Sequence, residues 1–460
     1  MPSAEVCLDT SAQQAGVSVL DMNTPVASDR PRRLVVRGAR YPGDIAVRAG
    51  VIEAIGTIDA EAGDDVLRVD GDIVTAGLIN THHHLYQWAT RGRAVDCDLF
   101  GWLRELYPVW ARLDPADVHA AAVVGLAELA LSGCTTAADH HYLVPHGDDS
   151  VFDRLADAAR TVGTRLHLAR GSMDLGESDG GLPPDSVVEK TDAILTSTEA
   201  VHARLHDGVR IVVTVAPCSP FTVTPRLMTE SAALARQLGL RLHTHLAETL
   251  DEEKDALARY GVRPVELMQR FGWIGDDVWV AHGIHFDDAE IALLGAAGTG
   301  VAHCPSSNAR LGAGMCRVSD LIAAGAPVGL GVDGVASNEA GGLFTEIRQA
   351  LFTSRQRTGS PASLGVATAL DLATIGGARC LGRDDIGELA PGKRADLAIW
   401  PGDDLADIPD PVAALALGPD RRVRHLLVEG EPVVTDGQLV NLDLRVARAE
   451  LARRSQRLWN

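Results

Sequence analysis

The sequence predicts an α/β protein: a (β/α)8 barrel carrying a small β-sandwich domain assembled from the N- and C-terminal segments. Three observations carry this. Short apolar runs alternate with helix-like stretches through the middle of the chain, glycine-broken β-type segments occur at both ends, and histidines and carboxylates fall at the C-terminal tips of the apolar runs.

The bulk numbers permit a large enzyme. The chain has 460 residues, 46% hydrophobic and 23% charged, enough apolar material for a sizeable core and too much for disorder. Acids outnumber bases 62 to 42, a net charge of −20, with no long run of one sign. Phosphate binding needs a basic footprint, so nucleic acid is excluded as a partner, and nothing favours an anionic membrane surface. The seven cysteines are scattered, with no C-x-x-C pair, which fits a reducing cytoplasm. Residues 1–32 are expected to form a flexible leader; they lack the basic segment and apolar core of a secretory signal.

In chain order, RLVVRGARY, DIAVRAG, VIEAIG and DVLRVDG read as hairpin strands, and the same style returns in IGELAPGKRADLAIW and RRVRHLLVEGEPVVTDG. Neither group alone has enough strands to bury a face, so residues 33–72 and 386–445 are expected to form one composite sandwich. Residues 446–460 read as a C-terminal helix. Between them, 73–385 supplies eight candidate barrel strands: Ile73 to Asn80, Cys134 to Asp139, Arg165 to Arg170, Val209 to Ala216, Arg241 to His245, Val278 to His282, Gly300 to His303 and Pro327 to Asp333. DVHAAAVVGLAELALSG and TESAALARQLGL supply helices before the second and fifth. The loop GSMDLGESDGGLPPD is expected over the barrel mouth. Exposed helices around such a barrel commonly pair, so a homo-oligomer is expected.

The first strand ends in NTHHHLYQ. Side chains alternate along a strand, so His82 and His84 share a side and His83 points away. The fifth ends in HTHLAE, placing His245 at the tip and Glu248 three residues on; the sixth ends in His282 and the eighth in Asp333. Singly, each has an ordinary structural explanation. Jointly, at tips one, five, six and eight, they point to one divalent metal, with imidazole and carboxylate donors that suit Zn²⁺ first and Fe²⁺ or Mn²⁺ as alternatives. Such an ion acidifies bound water from about 16 to about 7 and supplies hydroxide near neutral pH.

GLINTHHHLYQ, HTHLAE, AHGIH, HCPSSNARL and GVDGVASN follow one another in an order and spacing that resembles the amidohydrolase superfamily, in its nucleobase and aminotriazine deaminase branch, from Arg33 to Asp436. One departure is Ala76, where relatives usually carry proline. The resemblance implies metal ligation by His82, His84, His245 and Asp333, with Asp333 also moving the proton of the attacking water. It makes Glu248 the shuttle to a ring nitrogen, and His282 a catalytic group that orients the nucleophile. Dinuclear relatives use a carbamylated lysine on the fourth strand; the only lysines here are Lys190, Lys254 and Lys393, so one metal is expected. His83 and His243 fall outside the ligand set, by alternation or position.

By the same resemblance, Gln87, Trp110, Tyr142 and Arg170 are expected to contact substrate, and Tyr86, Trp88, Phe100, Trp102, Tyr107 and Trp110 crowd the stretch after the first strand. His285 and His303 are weaker candidates. The implied activity is hydrolytic deamination of an amino-substituted heterocycle. NTHHHLYQ, LYPVWARL, APCSPFTVT and HCPSSNARL favour 8-oxoguanine, giving urate and ammonia. The alternatives are an aminotriazine, isocytosine, pterin, guanine or adenosine-type substrate, separable by ammonia release, or a non-catalytic metal-binding scaffold, separable by metal analysis.

Overall fold

Residues 32–459 are described by a computed structural model. The expected leader, 1–32, lies outside the described residues but for its last member.

The N-terminal strands β1 (Arg33–Arg37), β2 (Asp44–Arg48), β3 (Val51–Gly56) and β4 (Asp65–Arg68) form a sheet in the order β3-β2-β1-β4. β5 (Ile73–Ala76) belongs to a second small sheet. The barrel is β6 (Leu78–His84), β7 (Cys134–His141), β8 (Arg165–Ser172), β9 (Ile211–Pro217), β10 (Leu242–Leu246), β11 (Val278–His282), β12 (Gly300–His303) and β13 (Val328–Leu330). Neighbours are parallel throughout, and Leu330 opposite Asn80 closes the ring between β13 and β6. A two-residue extension, β14 (Asp333–Gly334), pairs with the tip of β6 and sets Asp333 opposite His83. β15 (Leu397–Trp400), β16 (His425–Val428), β17 (Glu431–Thr435) and β18 (Gln438–Leu439) complete the second small sheet, whose other edge is β5.

The fold class is as expected, with one correction to the first barrel strand. The run from Ile73 to Asn80 is not continuous: β5 pairs antiparallel with β15, Ala76 opposite Leu397, and only β6 enters the barrel. Gly77 lies at the break, donating its N–H to Asp396, and a Cβ there would come within 2.3 Å of the Thr135 side chain. The apolar pattern carries no mark of this division because both halves are buried.

Val36, Ile45, Val47 and Ile52 of the first small sheet pack with Val74, Leu397, Ile399 and Leu427 of the second, giving the sandwich a core distinct from that of the barrel. A buried ion pair joins the two bodies. Arg165 of β8, with a fully buried side chain, donates to Asp396 at 2.6 Å and also pairs with Glu429 at 2.9 Å. Helix Pro115–Leu131 starts on a capping box in which Asp114 and Asp117 satisfy each other's backbone N–H, and it is buried along most of its length. Against it lies the C-terminal helix, Leu444–Trp459, through buried Leu451 and Leu458 and an Arg454–Asp117 contact at 3.3 Å. Among the described residues no helix is long and apolar enough to cross a membrane.

Candidate metal centre

Strand alternation delivers His82 and His84 to one side of β6, and the C-terminal ends of β10 and β11 and the β14 extension bring His245, His282 and Asp333 to meet them. Donor atoms of His82, His245, His282 and Asp333 all lie within 4.8 Å of one another. His84 joins the set directly: its Nε2 is 3.1 Å from Nε2 of His245 and 3.3 Å from Oδ1 of Asp333, while His82 Nε2 is 3.4 Å from that same oxygen. His83 faces elsewhere, with Nδ1 on the Asp333 carbonyl at 2.6 Å.

The tautomers follow from the partners. Nδ1 of His84 donates to the His140 carbonyl and Nδ1 of His245 to the Cys218 carbonyl, both at 2.6 Å. A carbonyl only accepts, so in the neutral rings both Nε2 atoms carry lone pairs, and these face each other at 3.1 Å. Two opposed lone pairs repel unless a cation lies between them. Tetrahedral coordination at about 2.0–2.1 Å sets neighbouring ligand nitrogens about 3.3–3.4 Å apart, close to the spacing here. Burial holds the His82 and His245 rings well below the ordinary imidazole value, which keeps them neutral, and the buried Nε2 of His82 has no hydrogen-bond partner. The donor set therefore fits a divalent metal.

The backbone is strained where this set is built. Ala247, His282 and Asp333 have φ of 53°, 74° and 58°, in the left-handed region that non-glycine residues rarely occupy. Each is held in place. Glu252, buried on the following helix, accepts from the N–H groups of Ala247 at 2.9 Å and Glu248 at 3.0 Å. His282 Nδ1 lies 2.9 Å from Asn308 Oδ1. Asp333 Oδ2 accepts from Ser307 at 2.6 Å, and Oδ1 accepts from the Gly334 N–H at 2.7 Å. The Ser337 hydroxyl lies 2.8 Å from that of Ser307, which accepts from it.

Across the site, Glu248 Oε2 is 3.6 Å from His282 Nε2. Burial pushes the Glu248 carboxyl above its ordinary value, outweighing the His282 charge that would lower it. Burial opposes a charge on His282, but Glu248 and Asp333 together raise it. Burial likewise opposes ionisation of Asp333, yet the neighbouring His82, His84 and His282 rings hold it well below the carboxylate range. The site thus pairs a carboxyl pushed towards its protonated form with one pushed towards its ionised form, the division that acid and base roles require.

Above these groups a small pocket of about 40 Å³ is lined by Gln87, Leu99, Trp102, Tyr107, Tyr142 and Phe221, among others. Gln87 and Tyr142 are among its lining residues. Trp110 and Arg170, expected to contact substrate, are not among the residues lining it. Trp110 is fully buried, donates to Thr90 at 3.0 Å and packs edge-on against Tyr86, Trp102 and Tyr107. Arg170 is spent on a bidentate bond to Glu189, at 3.0 and 2.8 Å, and on Ser197. Nor does the loop 171–185 line the pocket; helix Leu99–Trp110 covers that side, pinned by Trp102 Nε1 to the Ala336 carbonyl at 3.0 Å. Sequence reasoning missed Glu252, Ser307, Asn308 and Ser337. The run PSSN directly after the His303 strand tip was the available signal for two of them.

Residues 73–433 match the amidohydrolase family. The chain belongs to that family. Among amidohydrolase relatives, an 8-oxoguanine deaminase of Pseudomonas aeruginosa is 50% identical over 88% of this chain and 93% of its own. An isoxanthopterin deaminase from an unknown prokaryotic organism is 37% identical over 90% and 92%. Among solved structures, the zinc complex of atrazine chlorohydrolase from Arthrobacter aurescens TC1 superposes with a TM-score of 0.87 at 30% identity, covering 92% of this chain and all of the other. As an amidohydrolase of this kind, the protein is a metal-dependent hydrolase acting on C–N bonds.

Proposed function

We propose that this amidohydrolase deaminates an amino-substituted heterocycle, with 8-oxoguanine as the substrate and urate and ammonia as the products. The observation that supports it most directly is Glu248, a buried carboxyl with a raised pKa lying 3.6 Å from His282. Adding water across an aromatic C–NH2 carbon places charge on the adjacent ring nitrogen, and a carboxyl whose burial favours its protonated form can quench it. The 50% identity to a deaminase of that base favours 8-oxoguanine over the pterin acted on by the 37% relative.

His82, His84, His245 and Asp333 would hold one divalent metal, zinc first and iron second. The ion would supply the Lewis acidity that ionises water near neutral pH. Asp333, ionised and anchored by Ser307, takes a proton from the attacking water and returns it to the departing amine. His282 has its Nδ1 occupied by Asn308, which leaves Nε2 to orient the incoming oxygen. Glu248 gives its proton to the ring nitrogen and takes one back from the new hydroxyl as the carbonyl forms and ammonia leaves. Gln87 has committed Oε1 to the Ala336 N–H at 3.2 Å, so its NH2 group remains as the donor for a purine carbonyl, beside the Tyr142 hydroxyl. The six described cysteines are all free, in keeping with a cytoplasmic enzyme.

Ammonia release is the test, measured across 8-oxoguanine, guanine, isocytosine, isoxanthopterin, an aminotriazine and adenosine, with elemental analysis of the purified protein. Fastest turnover of 8-oxoguanine is expected. Turnover of nucleosides alone would overturn the substrate assignment, and a protein inactive with every base after metal is restored would overturn the catalytic one.

A further inference from the structure

Of the three histidines assigned as metal ligands, His84 and His245 bond backbone carbonyls through Nδ1, but His82 meets a side chain. Its Nδ1 lies 2.8 Å from Nε2 of His243, and Nδ1 of His243 lies 2.9 Å from the carbonyl of Trp279. The polarity of this chain has one neutral solution. The Trp279 carbonyl can only accept, so His243 carries its proton on Nδ1 and a lone pair on Nε2; His82 must then donate from Nδ1, which leaves the lone pair of His82 on Nε2, the atom that faces Asp333 and His84. We propose that His243 is a positioning residue for the metal, setting the tautomer and ring plane of His82. The inference rests on the reading of His82 as a ligand.

Three further observations support it. His243 is fully buried and stacks on Trp279 with centroids 4.5 Å apart and planes 19° apart, so its own orientation is fixed by packing. A doubly protonated His243 would bury a charge among the Trp279 carbonyl and the imidazoles of His82 and His140, so its surroundings favour the neutral ring. The cluster of His82, His140 and His243, whose donor atoms lie within 4.8 Å, does not make a second cation site. The 2.8 Å His82–His243 separation is that of an N–H···N bond and is shorter than the roughly 3.3 Å between two ligands of one tetrahedral ion. A partner of this type fixes the tautomer and raises the basicity of the ligand, and its loss typically weakens metal binding by about 10–100-fold.

The experiment compares His243→Phe and His243→Leu, which lack the acceptor, with His243→Gln, whose side-chain oxygen can replace it. Zinc affinity is measured by competition with a chromophoric chelator, and melting is followed on the zinc-free proteins. Phe keeps the ring stacked on Trp279, and Leu serves where Phe does not fold. The expected result is zinc binding weakened about 10–100-fold in the variants without an acceptor, recovery to within a few-fold in Gln, and zinc-free melting temperatures that do not follow this order. Zinc binding by Phe or Leu within twofold of the unsubstituted protein would overturn the proposal. So would equal losses in Phe, Leu and Gln. An unsubstituted protein that binds no zinc would overturn the metal reading itself, whereas failure to deaminate any base leaves this measurement intact.

Discussion

Glu252 holds Glu248 in place through the backbone, accepting from the N–H groups of Ala247 at 2.9 Å and Glu248 at 3.0 Å while lying fully buried. The strained Ala247 peptide owes its orientation to that carboxylate, and Glu248 owes its approach to His282 to the same contact. Replacing Glu252 with alanine leaves two buried donors unpaired. We expect a stability loss of about 1–3 kcal/mol and a fall in kcat of about 10–100-fold with KM little changed. Denaturant melts and steady-state kinetics check both, and an unaltered kcat would remove Glu252 from the positioning scheme.

The same residue makes a pH prediction. Burial raises the Glu252 pKa to about 7, against an ordinary unfolded value of about 4.3. The folded state therefore keeps a proton that the unfolded state has already lost, and stability contributed by this group is greatest below about 4.3 and declines as pH rises towards about 7. Glu252→Gln, which cannot titrate, should flatten that slope. Urea melts of both proteins at pH 5 and pH 8 measure it; parallel changes in the two would rule it out.

Asn308 fixes the His282 ring by accepting from Nδ1 at 2.9 Å. Asn308→Ala removes the acceptor, and kcat should drop by about 10–100-fold while zinc content stays at the unsubstituted level. Loss of zinc in parallel would show instead that His282 serves as a ligand, a placement its nearness to His82, His245 and Asp333 also allows.

Glu248→Gln and Asp333→Asn should separate catalysis from metal binding. Both are expected to abolish turnover, but only Asp333→Asn should release metal, since Glu248 is not among the clustered donors. Elemental analysis after dialysis reads the difference. Metal lost equally from both would reassign Glu248.

Arg170→Met tests whether Arg170, which does not line the pocket, contacts substrate. With Arg170 gone, Glu189 is left as an uncompensated buried charge, which costs about 3–5 kcal/mol. Substrate preference should be unchanged in whatever fraction folds. A shift in preference without loss of stability would restore Arg170 to the substrate.

Much of the site was legible before the fold because its chemistry is written in short-range patterns. His82 and His84 are two apart on a strand, so alternation alone puts them on one side, and His245, His282 and Asp333 each end an apolar run. Roles that depend on packing were not legible. Trp110 and Arg170 have side chains suited to binding a purine, yet their ring edge and guanidinium are occupied by Thr90 and Glu189, from parts of the chain with no sequence pattern linking them. His243 was discounted on position and proves to stand behind His82.

By itself the sequence determined the barrel, the sandwich and the donors at the strand tips, because periodicity, glycine breaks and strand direction are local properties of the chain. The tertiary structure decided which donors converge, which tautomer each ring takes and which polar side chains remain free for substrate. Those depend on hydrogen bonds between residues as far apart as His82 and His243, or Ser307 and Asp333, and a proton's position on an imidazole is set by whichever partner packing brings to its other nitrogen.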